Sequence, residues 1–114
     1  MSSERELLEG AYRDFNARRM EEVLARMSPD VVCANGMDGG FVYGREGVRD
    51  YWTRQWAVID PHVEPMEITP DERGRWVVTV HQVVRDLEGN ILVDKIVHHA
   101  YQIQSSVIAR MDIE

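Results

Sequence analysis

A chain of 114 residues is long enough to bury one hydrophobic core and too short for two. Its 20 acidic and 13 basic residues leave a net charge of −7, and no basic stripe runs along it. The electrostatic footprint of binding to nucleic acid or to an anionic membrane is therefore missing. No apolar run reaches bilayer-spanning length, and the first six residues lack the apolar core of a signal peptide, so a soluble, cytoplasmic protein is expected. A lone Cys33 makes neither an internal disulfide nor a cysteine metal site, and its expected role is a buried structural thiol.

Ser2 or Ser3 is placed to cap a first helix whose opening turn carries Glu4 and Glu6, which suits the positive end of the helix dipole. Leu7, Leu8, Ala11, Tyr12 and Phe15 follow at helical spacing, so the helix is amphipathic. Asn16-Ala17-Arg18-Arg19 breaks the period, and Met20, Val23, Leu24 and Met27 restart it as a short second helix that ends before Ser28-Pro29-Asp30. Val31 to Ala34 reads as a strand, Asn35 to Gly40 as a turn cluster, and Phe41 to Tyr43 as the return strand of a small hairpin. Gly44-Arg45-Glu46-Gly47 opens a third helix with Val48, Trp52, Trp56 and Ile59 on one face, while Asp60-Pro61 closes it.

From Val63 onward the period becomes extended, with strands over about 63–69, 75–85, 92–103 and 107–113. Helices first and a strand meander after them define an α+β domain. Three N-terminal helices are expected to pack on one face of a curved, mostly antiparallel sheet. Glu88-Gly89 as a two-residue loop sets His81 opposite Ile96. Ser105-Ser106 as the next tight turn sets His99 opposite Asp112 and Tyr101 opposite Arg110. Alternation then puts Trp76, Val78, Val80, Val84, Val93, Val97, His99, Tyr101, Ile103, Ile108, Arg110 and Asp112 on one face. Both faces of the sheet are apolar, and the helices of so short a chain cover only one of them. A homodimer packed sheet against sheet is therefore expected to cover the other.

The adjacent His98 and His99 point to opposite faces of a regular strand and so do not share a metal ion. His81, His98 and Asp94 are cross-strand neighbours on the outer face, but that face is the expected subunit interface, and no metal is assigned. On the helix side, His99, Arg110 and Asp112 would be polar groups in an apolar cavity, where burial without partners costs roughly 1–3 kcal/mol each. They are expected to pair with one another, with water or with a ligand.

Tyr12-Arg13-Asp14-Phe15-Asn16-Ala17, Pro29-Asp30-Val31-Val32, Gly44 to Trp52, and Ile108-Ala109-Arg110-Met111-Asp112 are similar in order and spacing to the nuclear transport factor two-like superfamily. Within it they most resemble the SnoaL-like polyketide cyclase and ketosteroid isomerase group. The resemblance covers nearly the whole chain and implies a single cone-shaped domain, three helices and a bent sheet enclosing a pocket. Isomerases, cyclases, dehydratases, epoxide hydrolases and non-catalytic binding modules share that fold, so it does not decide the activity. By the resemblance, Asn35 falls where the isomerases carry their proton-shuttling carboxylate, and an amide cannot take a proton at neutral pH. His99 falls at the protonated acid of their oxyanion hole, and Tyr12 lies about one position from its phenol.

The residues present fit a mechanism in which His99 is the general acid or base and Asp112 orients it. Tyr12, Asn35 and Tyr101 are placed to hold a carbonyl or phenolic oxygen, Arg110 to bind or bridge beside them, and Trp52, Trp56 and Trp76 to wall the cavity. The reaction class is proton transfer next to a carbonyl of a small hydrophobic compound: isomerisation, aldol-type cyclisation or dehydration, with no cofactor. Two other readings stay open. One is a non-catalytic module that binds such compounds, the other a dimerisation module whose cavity is filled by its own side chains.

Overall fold

The computed structural model describes residues 3–114. Helix α1, Glu4–Asn16, begins at Ser3, whose Oγ accepts from the Glu6 N–H at 3.0 Å; Ser2, the alternative cap, lies outside the described residues. Helix α2, Met20–Ala25, follows a turn in which Arg18 adopts a φ of 61°. Strands β1, Met27–Ala34, and β2, Phe41–Tyr43, form the small hairpin, and helix α3 spans Gly44–Trp56. The meander is β3, Ile59–Pro70; β4, Trp76–Asp86; β5, Ile91–Gln104; and β6, Val107–Ile113.

Six strands make one open sheet in the order β2-β1-β6-β5-β4-β3. All neighbours are antiparallel except β1 and β6, which run parallel. The expected α+β architecture, three helices on a curved sheet, is therefore the architecture found. Helix α3 stops at Trp56, earlier than Asp60-Pro61 suggests, and Ile59 belongs to β3 rather than to the helical face. Pro61 is tolerated inside β3 because β3 is an edge strand and a proline at an edge need not break a ladder bond.

The registers differ from expectation at two places. The β4–β5 hairpin closes with Asp86 N–H on the Asn90 carbonyl at 2.9 Å, and Gly89 takes a φ of 94°. The loop thus has three residues, Leu87 to Gly89, and not two. An irregularity between Val84 and Arg85 absorbs the difference, so His81 still faces Ile96. Ser105 and Ser106, both at positive φ, do make the tight turn, with Gln104 opposite Val107. Beyond it a bulge intervenes: Ile103 pairs Ile108, but Gln102 pairs Arg110 and His99 pairs Ile113. One extra residue on β6, Ala109, inverts the facing of everything after it.

The core lies between the helices and the inner sheet face, with Leu8, Leu24, Val31, Val48, Val78, Val80 and Ile108 fully buried. On the outer face, Ile96 remains half exposed. Among the described residues no helix is long and apolar enough to cross a membrane.

One charged group is buried with the helices. Asp14, 4% exposed, accepts from Arg19 Nε and Nη2 at 3.0 and 2.6 Å and from Arg26 Nε at 3.0 Å. Burial alone raises a carboxyl pKa, but the hydrogen bonds and charges of Arg19 and Arg26 outweigh it and hold Asp14 below the usual range. Gly10 leaves the space that the Arg26 guanidinium fills, since a Cβ there would stand 2.5 Å from it. Asp14→Ala strands two guanidinium groups, but both reach water, so the expected loss is about 2–3 kcal/mol, below that for a fully buried pair. Urea unfolding at pH 7 reads it as a lower midpoint with an unchanged slope.

Candidate functional site

A cavity of about 110 Å³ lies between the inner sheet face, α1 and α3. From α1 it is lined by Ala11, Tyr12 and Phe15, and from α3 by Tyr51, Trp52 and Gln55. The sheet contributes Cys33, Ala34, Val63, Gln82, His99, Tyr101, Ile108, Met111 and Ile113. The cavity reaches the surface beside Gly36 and Ile113, both of which are exposed lining residues.

Its polar centre is a chain of three side chains. Tyr101 Oη donates to Tyr12 Oη at 2.7 Å, and Tyr12 Oη stands 2.8 Å from His99 Nδ1. The rings of Tyr12 and His99 lie nearly parallel, with centroids 6.0 Å apart. The direction of the protons follows from satisfaction. The Tyr101 hydroxyl has no partner but Tyr12 among the described residues, so it must donate there. Tyr12 in turn donates to Nδ1, and the neutral imidazole carries its proton on Nε2. No described group bonds Nε2, so the chain ends in a free N–H donor on a ring that lines the cavity.

Burial, and to a lesser degree the charge of His98, pulls the His99 pKa down to about 4. Burial pushes both phenols well above their ordinary range, with the neighbouring tyrosine adding to the rise at Tyr12. The chain is uncharged at neutral pH. Cys33, buried in the wall, has a thiol pKa pushed up to about 12, mainly by burial. It is inert as a nucleophile at neutral pH.

Several residues singled out in the sequence lie elsewhere. The bulge at Ala109 turns Arg110 and Asp112 to the outer face, where they pair bidentately at 2.9 and 3.0 Å and Arg110 covers Phe41 at 4.8 Å. Asp112 therefore does not orient His99, and Arg110 does not line the cavity. Asn35 accepts the Met37 and Asp38 N–H groups at 3.0 and 2.9 Å, which makes it the organiser of the β1–β2 turn. Trp76 packs on the start of α1, with Nε1 donating to Glu4 at 2.9 Å. Trp56 stacks behind Trp52 at 5.8 Å and is not part of the lining. Tyr12, Trp52, His99 and Tyr101 do come together there.

Met111, Ile113 and Gln55 line the cavity without having been expected there. Met111 and Ile113 were assigned outward on the regular alternation that Ala109 breaks. Gln55 follows Val48, Tyr51 and Trp52 at i, i+3, i+4 and i+7, a spacing that marks it as the polar member of the inward stripe. Among the described residues no three His, Cys, Asp or Glu side chains gather into a metal-binding group.

Residues 8–111 match the model of the SnoaL-like domain. The chain belongs to that family. No curated protein matches it significantly. Among solved structures it is similar to TerC, crystallised with polyporic acid, at 24% identity and a TM-score of 0.85, over 99% of this chain and 91% of that one. It is similar also to an NTF2-like protein of unknown function from Burkholderia pseudomallei, at 21% identity and a TM-score of 0.85, over 100% and 91% of the two chains. A Mycobacterium tuberculosis protein in complex with estradiol-17beta-hemisuccinate is similar at 19% identity and a TM-score of 0.78, over 92% and 87%. At these identities the likeness is one of fold.

The low His99 pKa has a measurable consequence for stability. The unfolded imidazole titrates near 6.5 and the folded one near 4, so between those values the unfolded state holds more protons. Stability contributed by neutral His99 is therefore full above pH 6.5 and declines as the pH falls toward 4, by about 3 kcal/mol in total. Urea titrations of wild type and His99→Gln between pH 7 and 4 should show their difference in stability changing by that amount. A constant difference would mean that His99 is not held neutral.

Proposed function

We propose that the cavity binds a small, largely apolar carbonyl compound with its oxygen on the Nε2–H of His99, and so promotes proton transfer at the adjacent carbon. The observation that carries this reading is the Tyr101–Tyr12–His99 chain. It ends in a preorganised donor inside a largely apolar space, where a hydrogen bond to developing negative charge is strong. His99 acts here as a donor and not as the base. Among the described residues no carboxylate lines the cavity, so the abstracted proton passes to water or to a second oxygen of the substrate. Carbon acids flanked by two carbonyls, which tautomerise or close an aldol ring without a strong base, meet that condition. No step requires a cofactor.

The missing carboxylate also favours a second reading, in which the same pocket binds such a compound without converting it. That TerC and the Mycobacterium tuberculosis protein were crystallised with small molecules supports ligand binding in either case. A thermal-shift screen against small enones, 1,3-dicarbonyls and phenols, with product analysis on each hit, separates the two. On a converted compound His99→Ala should lower kcat about 100- to 1000-fold, the usual effect of losing an oxyanion donor, and Tyr12→Phe less. A substrate turned over equally by wild type and His99→Ala would remove His99 from the mechanism.

For the outer sheet face we propose the interface of a homodimer. Helices cover only the inner face, and Ile96, 50% exposed, sits on the outer one beside the His81–Asp94 pair at 2.7 Å. Ile96→Asp should convert a dimer to a monomer in sedimentation velocity runs. A variant that sediments like the wild-type dimer would put the interface elsewhere.

A further inference from the structure

Gln55 lies in the last turn of α3 and lines the cavity. Its Nε2 donates to Tyr51 Oη at 3.1 Å, while its Oε1 is buried with no partner. Tyr51 Oη already accepts the Met37 N–H at 3.3 Å. A hydroxyl both donates and accepts, so the amide turned through half a revolution would instead accept from Tyr51 and leave its NH2 unpaired. In both orientations one end of the Gln55 amide stays buried and unsatisfied in the cavity wall. Buried polar groups in native structures are nearly always paired, and one that faces a cavity is placed to be paired by what the cavity binds.

We propose that Gln55 is the specificity-determining residue of the cavity and that it reads a ligand hydroxyl. The ligand class is then a single-ring carbonyl compound, such as a hydroxyphenyl ketone or a hydroxylated cyclic enone, with its carbonyl on His99 and its hydroxyl on Gln55. A hydroxyl is the group that fits, since it pairs with either end of the amide. The cavity volume of about 110 Å³ limits the ligand to one ring at most, since it is smaller than an engineered cavity of about 150 Å³ that takes up benzene. Larger substituents leave through the opening beside Gly36 and Ile113. The inference rests on the cavity being a binding site for carbonyl compounds.

The test is calorimetric titration of the wild-type protein with 4-hydroxyacetophenone and with 4-methylacetophenone, in which a methyl replaces the hydroxyl at nearly equal size. Wild type should prefer the hydroxylated ketone about 10- to 100-fold, because the methyl leaves the amide unpaired. Gln55→Leu, or Gln55→Met should the leucine variant fail to fold, should bind the two alike and the methyl compound at least as tightly as wild type does. Equal affinity of wild type for both ketones, or a preference that survives in the variant, would overturn the role of Gln55 while leaving the cavity a ketone site. Absence of binding of either ketone to wild type and variant would overturn the carbonyl-binding reading and this one with it.

Discussion

The single extra residue in β6 decides what kind of cavity this protein has. Side chains along a strand alternate between faces, so one inserted residue exchanges the faces of all that follow. With Ala109 bulged, Ile108 faces inward before it and Met111 and Ile113 after it, and all three line the cavity. A regular strand would have carried Arg110 and Asp112 beneath the helices. Two charges would then have left water for a space whose other walls are apolar, and desolvation readily exceeds what their mutual attraction returns. Placed outside, the same two residues keep a bidentate pair at the sheet surface and seat the guanidinium over Phe41.

That displacement sets the chemistry of His99. An imidazole beside a carboxylate is held charged and serves as acid or base near neutral pH. Without Asp112 the balance reverses: burial dominates, the ring stays neutral, and its hydrogen-bond partner among the described residues is the hydroxyl of Tyr12. A neutral imidazole is a poor acid but a sound donor, and its donor end is fixed because Tyr12 occupies the other nitrogen. In the proposed function this ring stabilises charge that develops on a bound oxygen and does not hold a proton in reserve. The inertness of Cys33 and both phenols points the same way, since each is kept protonated by the burial that keeps His99 neutral.

Much of this architecture was legible in the chain because periodicity reports which face is buried. The spacing of Leu8, Ala11, Tyr12 and Phe15 located the inward side of α1, and the switch from helical to extended period after Pro61 separated helices from meander. Alternation put His99 and Tyr101 on one face, and the aromatics of that face marked it as the helix side. What alternation does not encode is where it fails. Nothing in Val107-Ile108-Ala109-Arg110 announces a bulge, since Ala109 has an ordinary side chain and the conformation is forced by the cost of burying what comes next. The hairpin at Glu88-Gly89 shows the opposite accident. Its loop is one residue longer than read, and an irregularity at Val84 restores the pairing of His81 with Ile96. Asn35 was expected to hold a substrate oxygen, but beside Gly36 its amide is spent on the Met37 and Asp38 N–H groups of its own turn. Gln55 went unnoticed because a helical stripe is read by its apolar members.

The chain of hydroxyls depends in turn on where α1 lies, for Tyr12 is the one member that comes from a helix. The other two, His99 and Tyr101, stand two residues apart on β5 and share a face by geometry. Tyr12 reaches them only if α1 keeps its height and rotation above the sheet, and apolar packing tolerates small slides that a hydrogen bond at 2.8 Å does not. Two polar locks at the C-terminal end of α1 supply what packing lacks. Asp14, one half-turn beyond Tyr12, fastens the helix to Arg19 and Arg26. Asn16 bonds both the N–H and the carbonyl of Val63, at 3.0 and 2.8 Å, and so extends the edge of β3 with a side-chain amide. Both locks are directional and lie within four residues of Tyr12, so they fix the helix about the point where position matters most. On this view the buried carboxylate, distant from the cavity and absent from its lining, belongs to the site through the helix that it holds.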